Sequence, residues 1–334
     1  MVVLSHENRM IPSRAPSAPR ALRSIGSRQG LLHLLLLGGL TLSACAPRDR
    51  EQVVVYASQD EVYAEPILQE FTRDSRVLVK GLYDGEAVKT VGIANRLLSE
   101  QRHPQADLFW NNEELRTRQL AAQGVFEPGE GWIRIGHRTR QLVIHTGLVA
   151  RAEAPSSLLE LTNARWRGKV AIAFPGFGST ATHLLVLRER WGESAWTAWC
   201  QALQANHPLI VEGNSVVVKM VSRGTAWVGV TDSDDIAAGI RERLPIGGIP
   251  PGPEMIPLPN TVAVIRGAPN PGPARRLRAY LAGPKTLQRL ADAGAILSPD
   301  PGPEVLGEAQ WGHLLEELPR STQALEGIFL REGR

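Results

Sequence analysis

The sequence predicts an α/β fold with mainly parallel sheets covered by helices, and three observations carry the prediction. Short β-branched runs alternate with longer segments of helical period, the strand candidates are almost continuously apolar, and 334 residues exceed what one simple core usually holds. Two lobes of about 100–150 residues each are therefore expected.

In chain order, strands are predicted over Val53–Tyr56, Val77–Leu82, Ala106–Trp110, Gln141–His145, Lys169–Ala173, Leu209–Val211, Ala226–Val230 and Thr261–Arg266. Helices are predicted over Glu61–Arg73, Ala87–Gln101, Glu113–Gln123, Ser179–Arg190, Ser194–Gln204, Ser215–Ser222 and Asp234–Arg243, with Gly124 and Gly224 placed as helix-ending glycines. The Pro/Gly-rich stretch Leu244–Pro259 interrupts the alternation. A lone strand and the helical pair Pro273–Ala282 and Pro284–Ala293 follow it, as expected where a chain returns from a second lobe to the first. The expected division is 53–137 plus about 256–300 for lobe I and 138–255 for lobe II. A C-terminal tail of 301–334 carries an amphipathic helix over Val305–Leu318.

The net positive charge belongs to the N-terminal extension. Residues 1–44 hold five arginines and one glutamate, so setting them aside turns the net charge from +3 to −1 and leaves no general polyanion surface; no nucleic-acid partner is expected. Leu31–Ala44 is an apolar run after an arginine-bearing segment, too short for a mature span and patterned like a secretory signal. Leu42-Ser43-Ala44-Cys45 resembles a bacterial lipobox, which implies lipidation of Cys45 and a linker over 45–52. Translation from Met10 is an alternative start. Cys200, in the apolar stretch WTAWCQAL, reads as a buried structural thiol, with no disulfide or cysteine zinc site implied.

Ligands of open α/β sheets bind beyond the carboxyl ends of strands. The residues there are Ser58-Gln59-Asp60, Tyr83 to Glu86, Asn111-Asn112-Glu113, Gly178-Ser179-Thr180, Asn214-Ser215 and Thr231 to Asp235. Each alone is explained as a helix N-cap; their number argues for convergence on one cleft. The glycines before Ser179 leave helix amides open to an anion, without the ending of a Walker loop. Arg138 and Arg140 offer positive charge, although arginines beside a strand are more often solvated. Asp232, Asp234 and Asp235 crowd three carboxylates into four positions, which suits a bound cation or the positive end of a helix dipole equally well. No HExxH, CxxC, GxSxG, GxGxxG or SxxK motif occurs after residue 45, and the histidines are scattered. Trp191, Trp196 and Trp199 read as the packed face of two helices.

The order and spacing of VVVYASQD (Val53–Asp60), QADLFWNNE (Gln105–Glu113), WRGKVAIAFPGFGST (Trp166–Thr180), VEGNSVV (Val211–Val217), VGVTDSDD (Val228–Asp235) and PNTVAVIRGAPNP (Pro259–Pro271) resemble the iron(III)-type extracellular solute-binding proteins of ABC importers. The resemblance implies a two-lobe periplasmic-binding-protein-like fold joined by crossover strands. It also implies a solute held between the lobes, delivery to an ABC permease and its ATPase subunit, and a monomer exported to the periplasm or cell exterior. In ferric-binding members a histidine closes the first-strand loop and paired tyrosines follow the strand that is Ala226–Val230 here. This chain has Asp60 and Ser233-Asp234 at those places, while Asn214, Ser179-Thr180 and Arg138 match the region that holds a small synergistic anion.

The expected cargo is Fe³⁺ or a ferric–anion complex as transported ligand, with no catalytic cofactor. Ser58, Gln59, Asp60, Glu86, Asn112, Glu113, Arg138, Ser179, Thr180, Asn214, Ser215, Thr231, Asp232 and Asp234 are the candidate ligand residues. Asp60, Glu86, Asp232 and Asp234, joined by Tyr63 or Tyr83, are the candidate metal donors. The alternatives are a receptor for a polyamine-like cation or a phosphonate-like anion, a secreted hydrolase using the same carboxylates, and a sensor subunit.

Overall fold

The computed structural model describes residues 50–83, 89–129 and 131–330. The segment predicted to be a secretory signal, Cys45 and Glu86 lie outside the described residues.

The first sheet is built from β1 (Gln52–Ala57), β2 (Leu78–Tyr83) and β3 (Leu108–Asn111), with β1 paired in parallel to both neighbours. Residues alternate across it as strand geometry requires. Val53, Val55, Leu108 and Trp110 face one hydrophobic cluster, whereas Tyr56 and Phe109 face another. Helix α1 (Glu61–Ser75) packs on the first face, and α2 (Lys89–Ser99) and α3 (Glu114–Ala122) lie on the second.

Strand β4 (Trp132–His145) is longer than the periodicity predicted by nine residues at its start. Beyond it come β5 (Val170–Ala173), α4 (Gly178–Trp191), α5 (Glu193–Ala205), β6 (Leu209–Val211), α6 (Asn214–Ser222), β7 (Val228–Asp232) and α7 (Ser233–Arg241). The short β8 (Ile246–Ile249) lies in the Pro/Gly-rich stretch, where no strand was expected, and β9 (Pro257–Val264) follows. The sheet order is β2-β1-β3-β9-β4-β7-β5-β6, with β8 on β4. Strands β5–β6 and β5–β7 are parallel, as β1–β2 and β1–β3 are, so each end of the array has the parallel character the sequence predicts. The middle is different. β9 runs antiparallel to β3 and β4, and β4 runs antiparallel to β7 and β8.

Strand β4 serves both ends. It pairs with β9 from Trp132 through Thr139 and with β7 from Arg140 through Ile144. A register shift between Ile135 and His137 marks a bulge at Gly136, whose φ of 52° is left-handed. Gly124 and Gly224 also sit at positive φ just past α3 and α6, as the sequence predicts.

Helices α8 (Pro271–Leu281) and α9 (Pro284–Asp292) return to the first sheet's core, and α10 (Glu308–Phe329) packs on α4 and α5 through Trp311, Leu314, Leu318, Leu325 and Phe329. Helix α10 continues eleven residues past the predicted end, through Pro319. Arg118 on α3 ties it down, bonding Glu308 at 3.0 Å with its guanidinium 4.7 Å from the Trp311 ring. Trp196 and Trp199 are buried, and Trp191 meets Trp199 edge-on at 5.7 Å, as a packed helix face requires. Cys200 is fully buried, and burial pushes its thiol up to about 12. Among the described residues no helix is long and apolar enough to cross a membrane.

Candidate functional site

A small polar cavity of about 50 Å³ opens where the ends of β1, β3, β5, β6 and β7 converge. Asp60 and Asn112 line it from the first sheet's side, Arg138 from β4, and Ser179, Thr180, Asn214, Asp232 and Asp235 from the other. Phe174 and Phe177, with rings 4.7 Å apart, close one wall, and Glu212 sits at the rim.

The floor of the cavity is a buried ion-pair network. Arg138 and Arg140 are 4% and 0% exposed and lie within β4, so the solvated face expected for them is not found. The reason is their partners, 92 to 96 residues away in sequence. Arg138 contacts Asp232 at 3.1 Å and Asp234 at 2.8 Å, and donates to the Asn112 carbonyl at 3.1 Å. Arg140 contacts Asp232 at 2.5 Å and donates to Asn214 Oδ1 at 3.0 Å. Ser179 Oγ and Asn214 Nδ2 complete the shell of Asp232 at 2.6 and 3.2 Å.

Protonation follows this geometry. Burial opposes ionisation of Asp232, but Arg138 and Arg140 with the Ser179 bond outweigh it and hold its carboxyl below the ordinary value. Burial raises Asp234 to about 6, with Asp232 and Asp60 adding repulsion that Arg138 only partly offsets. Burial, then Asp234, Asp232 and Asp60, push Asp235 well upward. Arg138 is held more firmly protonated than usual, because four carboxylates outweigh its desolvation. Behind Arg140, His183 donates from Nε2 to the Glu254 carbonyl at 2.8 Å, which leaves Nδ1 facing the Arg140 Nε at 3.5 Å. Burial, then Arg140, depress this imidazole to about 3.

Helix starts supply the opposite polarity. The N-caps of α1, α4, α6 and α7 are Asp60, Phe177, Gly213 and Asp232, and none makes a side-chain capping bond. The ordinary capping explanation of these polar loops therefore fails at four helices. Phe177, Gly213 and Asp232 all line the cavity, so α4, α6 and α7 begin there without a bond from the N-cap side chain. Capping does hold at α3, where Glu113 accepts from the Arg116 amide at 3.1 Å and from the Thr182 hydroxyl at 2.8 Å.

Of the candidate residues, the structure brings Asp60, Asn112, Arg138, Ser179, Thr180, Asn214 and Asp232 to the cavity. Asp234 stands behind Arg138, and Thr231 donates to the Asn214 carbonyl and to Asp235 at 3.1 and 3.2 Å. Gln59 is buried against Asn260 at 3.0 Å, and Ser58 is buried with its hydroxyl unpartnered; neither lines the cavity, nor does Ser215. Tyr63 accepts from Arg241 at 2.7 Å and Tyr83 donates to Glu65 at 2.8 Å, so both candidate phenols are engaged outside the cavity. Phe174, Phe177 and Glu212 were not anticipated as lining residues; the Gly-rich segment around Phe177 was the only signal.

A partly open polar cavity lined from several strand ends and helix starts has the make-up of a small-solute site. Residues 52–295 match the family of bacterial extracellular solute-binding proteins, and the chain belongs to that family. Among its relatives, an Fe(3+)-binding periplasmic protein of Serratia marcescens is 28% identical over 209 residues, 57% of this chain and 60% of the relative. Iron uptake protein A1 of Synechocystis is 22% identical, over 59% of this chain and 61% of the relative. The chain thus aligns with about three fifths of each of these relatives' lengths. Iron-bound HitA from Pseudomonas aeruginosa superposes with a TM-score of 0.71 at 18% identity, covering 83% of this chain and 99% of that one. AfuA from Actinobacillus pleuropneumoniae, with exogenous fructose-6-phosphate bound, gives 0.72 at 18%, covering 84% and 99%. At these identities the superpositions establish a shared fold.

Proposed function

We propose that this protein is the solute receptor of an ABC importer and that its cargo is ferric iron bound together with a small oxyanion. It delivers the cargo to the permease unchanged and performs no chemistry on it. The observation that carries this reading is the double polarity of one small cavity. The starts of α4, α6 and α7 together with Arg138 favour an anion, while Asp60 and Asp235 favour a cation. A lone anion faces both carboxylates, and a lone cation faces the helix starts. A paired cation and anion satisfies both. The iron-related names of two relatives agree with it.

Lobe boundaries at residues 137/138 and 255/256 fit the pairing, because β4 exchanges β9 for β7 between Thr139 and Arg140 and β9 begins at Pro257. In this reading β4 and β9 form the hinge, the lobes close on cargo, and a lipid on Cys45 keeps the receptor beside its permease as a monomer. The test is metal analysis of protein purified without chelator, followed by titration with Fe³⁺ in the presence of carbonate, phosphate or citrate, and separately with hexose phosphates and polyamines. Iron retained only with an oxyanion is the expected result. Tight binding of an organic phosphate or amine in the absence of iron refutes it.

A further inference from the structure

Resting on the hinge reading above, we infer that the chain after α9 is a third fastening between the two halves, a strap that holds them where both line one cavity. The strap starts in the first sheet's core, where Ala295 and Ile296 are buried. It ends in the core of the other half, where Val305, Leu306, Trp311 and Leu314 are buried. Between these anchors it crosses on β4. His137 donates its amide to the Ser298 carbonyl at 3.0 Å, and its carbonyl accepts from the Leu297 amide at 2.7 Å. Arg134 donates to the carbonyls of Pro301 and Gly302 at 3.0 Å each and to that of Pro303 at 3.2 Å.

Helix α3 turns this crossing into a restraint. Its Leu120 packs on the first sheet, whereas its Leu115 is buried in the core that holds Trp311. Arg118, between them, bonds Glu114 on its own helix at 2.7 Å and Glu308 at the start of α10 at 3.0 Å. Its guanidinium lies 5.4 Å from the Trp132 ring on β4 and 4.7 Å from the Trp311 ring on α10, so one cation is shared by an aromatic face from each half. Arg134 pairs with Glu304 of the strap and stands 3.7 Å from Glu114. Rotation that parts α3 from α10 breaks the Glu308 bond, draws Trp311 off Arg118 and uncovers Leu115. Opening therefore costs contacts that cargo has no part in making. None of Leu115, Arg118, Arg134, Glu304, Glu308 and Trp311 lines the cavity, so the strap acts on affinity from outside the site. It does so through the closed fraction, because the apparent dissociation constant is the intrinsic one divided by that fraction.

The experiment places spin labels at Val62→Cys on α1 and Lys219→Cys on α6, both exposed positions, in the Cys45→Ser chain; Cys200 is buried and takes no label. Pulsed dipolar spectroscopy reads the distance between the labels without cargo and with Fe³⁺ plus citrate. The variants are Arg118→Ala and the double change Glu304→Gln with Glu308→Gln, whose side chains are 56% and 83% exposed, so that the second variant does not endanger folding. Without cargo, both variants should populate longer distances than the parent. Loaded, all three should share one shorter distance, with the variants' binding midpoint about two- to fivefold higher. Cargo-free distances or a midpoint equal to the parent's in the double variant overturn the strap and leave the cargo reading intact. A parent that binds no Fe³⁺ with citrate, carbonate or phosphate overturns the cargo reading instead, while the cargo-free distances still decide the strap.

Discussion

Acidifying the protein from pH 7.5 to 5 should remove about 2 kcal/mol of stability through His183 alone. This imidazole is fully buried, donates to a carbonyl and faces a guanidinium, so its folded value is depressed to about 3, from about 6.5 in an unfolded chain. Between those values the unfolded state binds a proton that the native state refuses, and stability falls as the pH falls. The loss begins near pH 7, grows by about 1.4 kcal/mol per unit, and ends near pH 3, where the native imidazole also protonates. His183→Gln keeps a donor near the Glu254 carbonyl and cannot titrate. Urea unfolding of both proteins at the two pH values isolates the effect, because the carboxylates contribute equally to each. The parent should lose about 2 kcal/mol more than His183→Gln between pH 7.5 and 5. Equal losses in the two proteins would show that His183 titrates normally in the fold, and the tautomer assigned from its partners would be wrong.

Arg140→Ala leaves the buried Asp232 with Arg138 as its only guanidinium partner and should cost about 3 kcal/mol, the lower end for breaking a buried pair, in the same urea assay. A cost under about 1 kcal/mol would mean that water replaces the lost guanidinium. Gly136→Ala places a Cβ at left-handed φ, 2.6 Å from Ile296 Cδ1 and 3.0 Å from the Ser298 carbonyl, and should cost roughly 2 kcal/mol or more. An unchanged thermal midpoint would refute the bulge geometry. In a Cys45→Ser chain, Cys200 should be inert to an aromatic disulfide reagent in buffer and react fully in denaturant, given its burial and its thiol pushed up to about 12.

Local pattern made most elements legible, because β-branched runs and helical periodicity are properties of a few adjacent residues. The first part of β4 was not legible, since Arg134, Arg138 and Arg140 at alternate positions read as a polar face. Two of them are buried only because Asp232 and Asp234 arrive from β7 and α7. β8 was hidden by its glycines, and the start of β9 by Pro257 and Pro259. Those prolines are tolerated because that part of β9 pairs with β4 alone, β3 joining only from Thr261. Seven of the fourteen candidate ligand residues reach the cavity because strand ends are legible. The division of labour among the acids was not, because which carboxylate meets which guanidinium depends on strand register. Glu113 shows the same limit from the other side. It stands in a polar strand-end cluster like the rest, yet its carboxylate is consumed by the start of α3.

Strand β3 ends at Asn111 and completes its ladder only with β9, which begins at Pro257. At about 5–20 residues per second, a ribosome needs roughly 7–30 s to bridge that interval, and during this time the nascent first sheet has an unpaired edge. Export before folding, or a chaperone that covers this edge, removes the hazard. The interleaved course of the chain, which completes the β2-β1-β3 end of the sheet only when β9 emerges, thus makes folding sensitive to how long that edge stays uncovered.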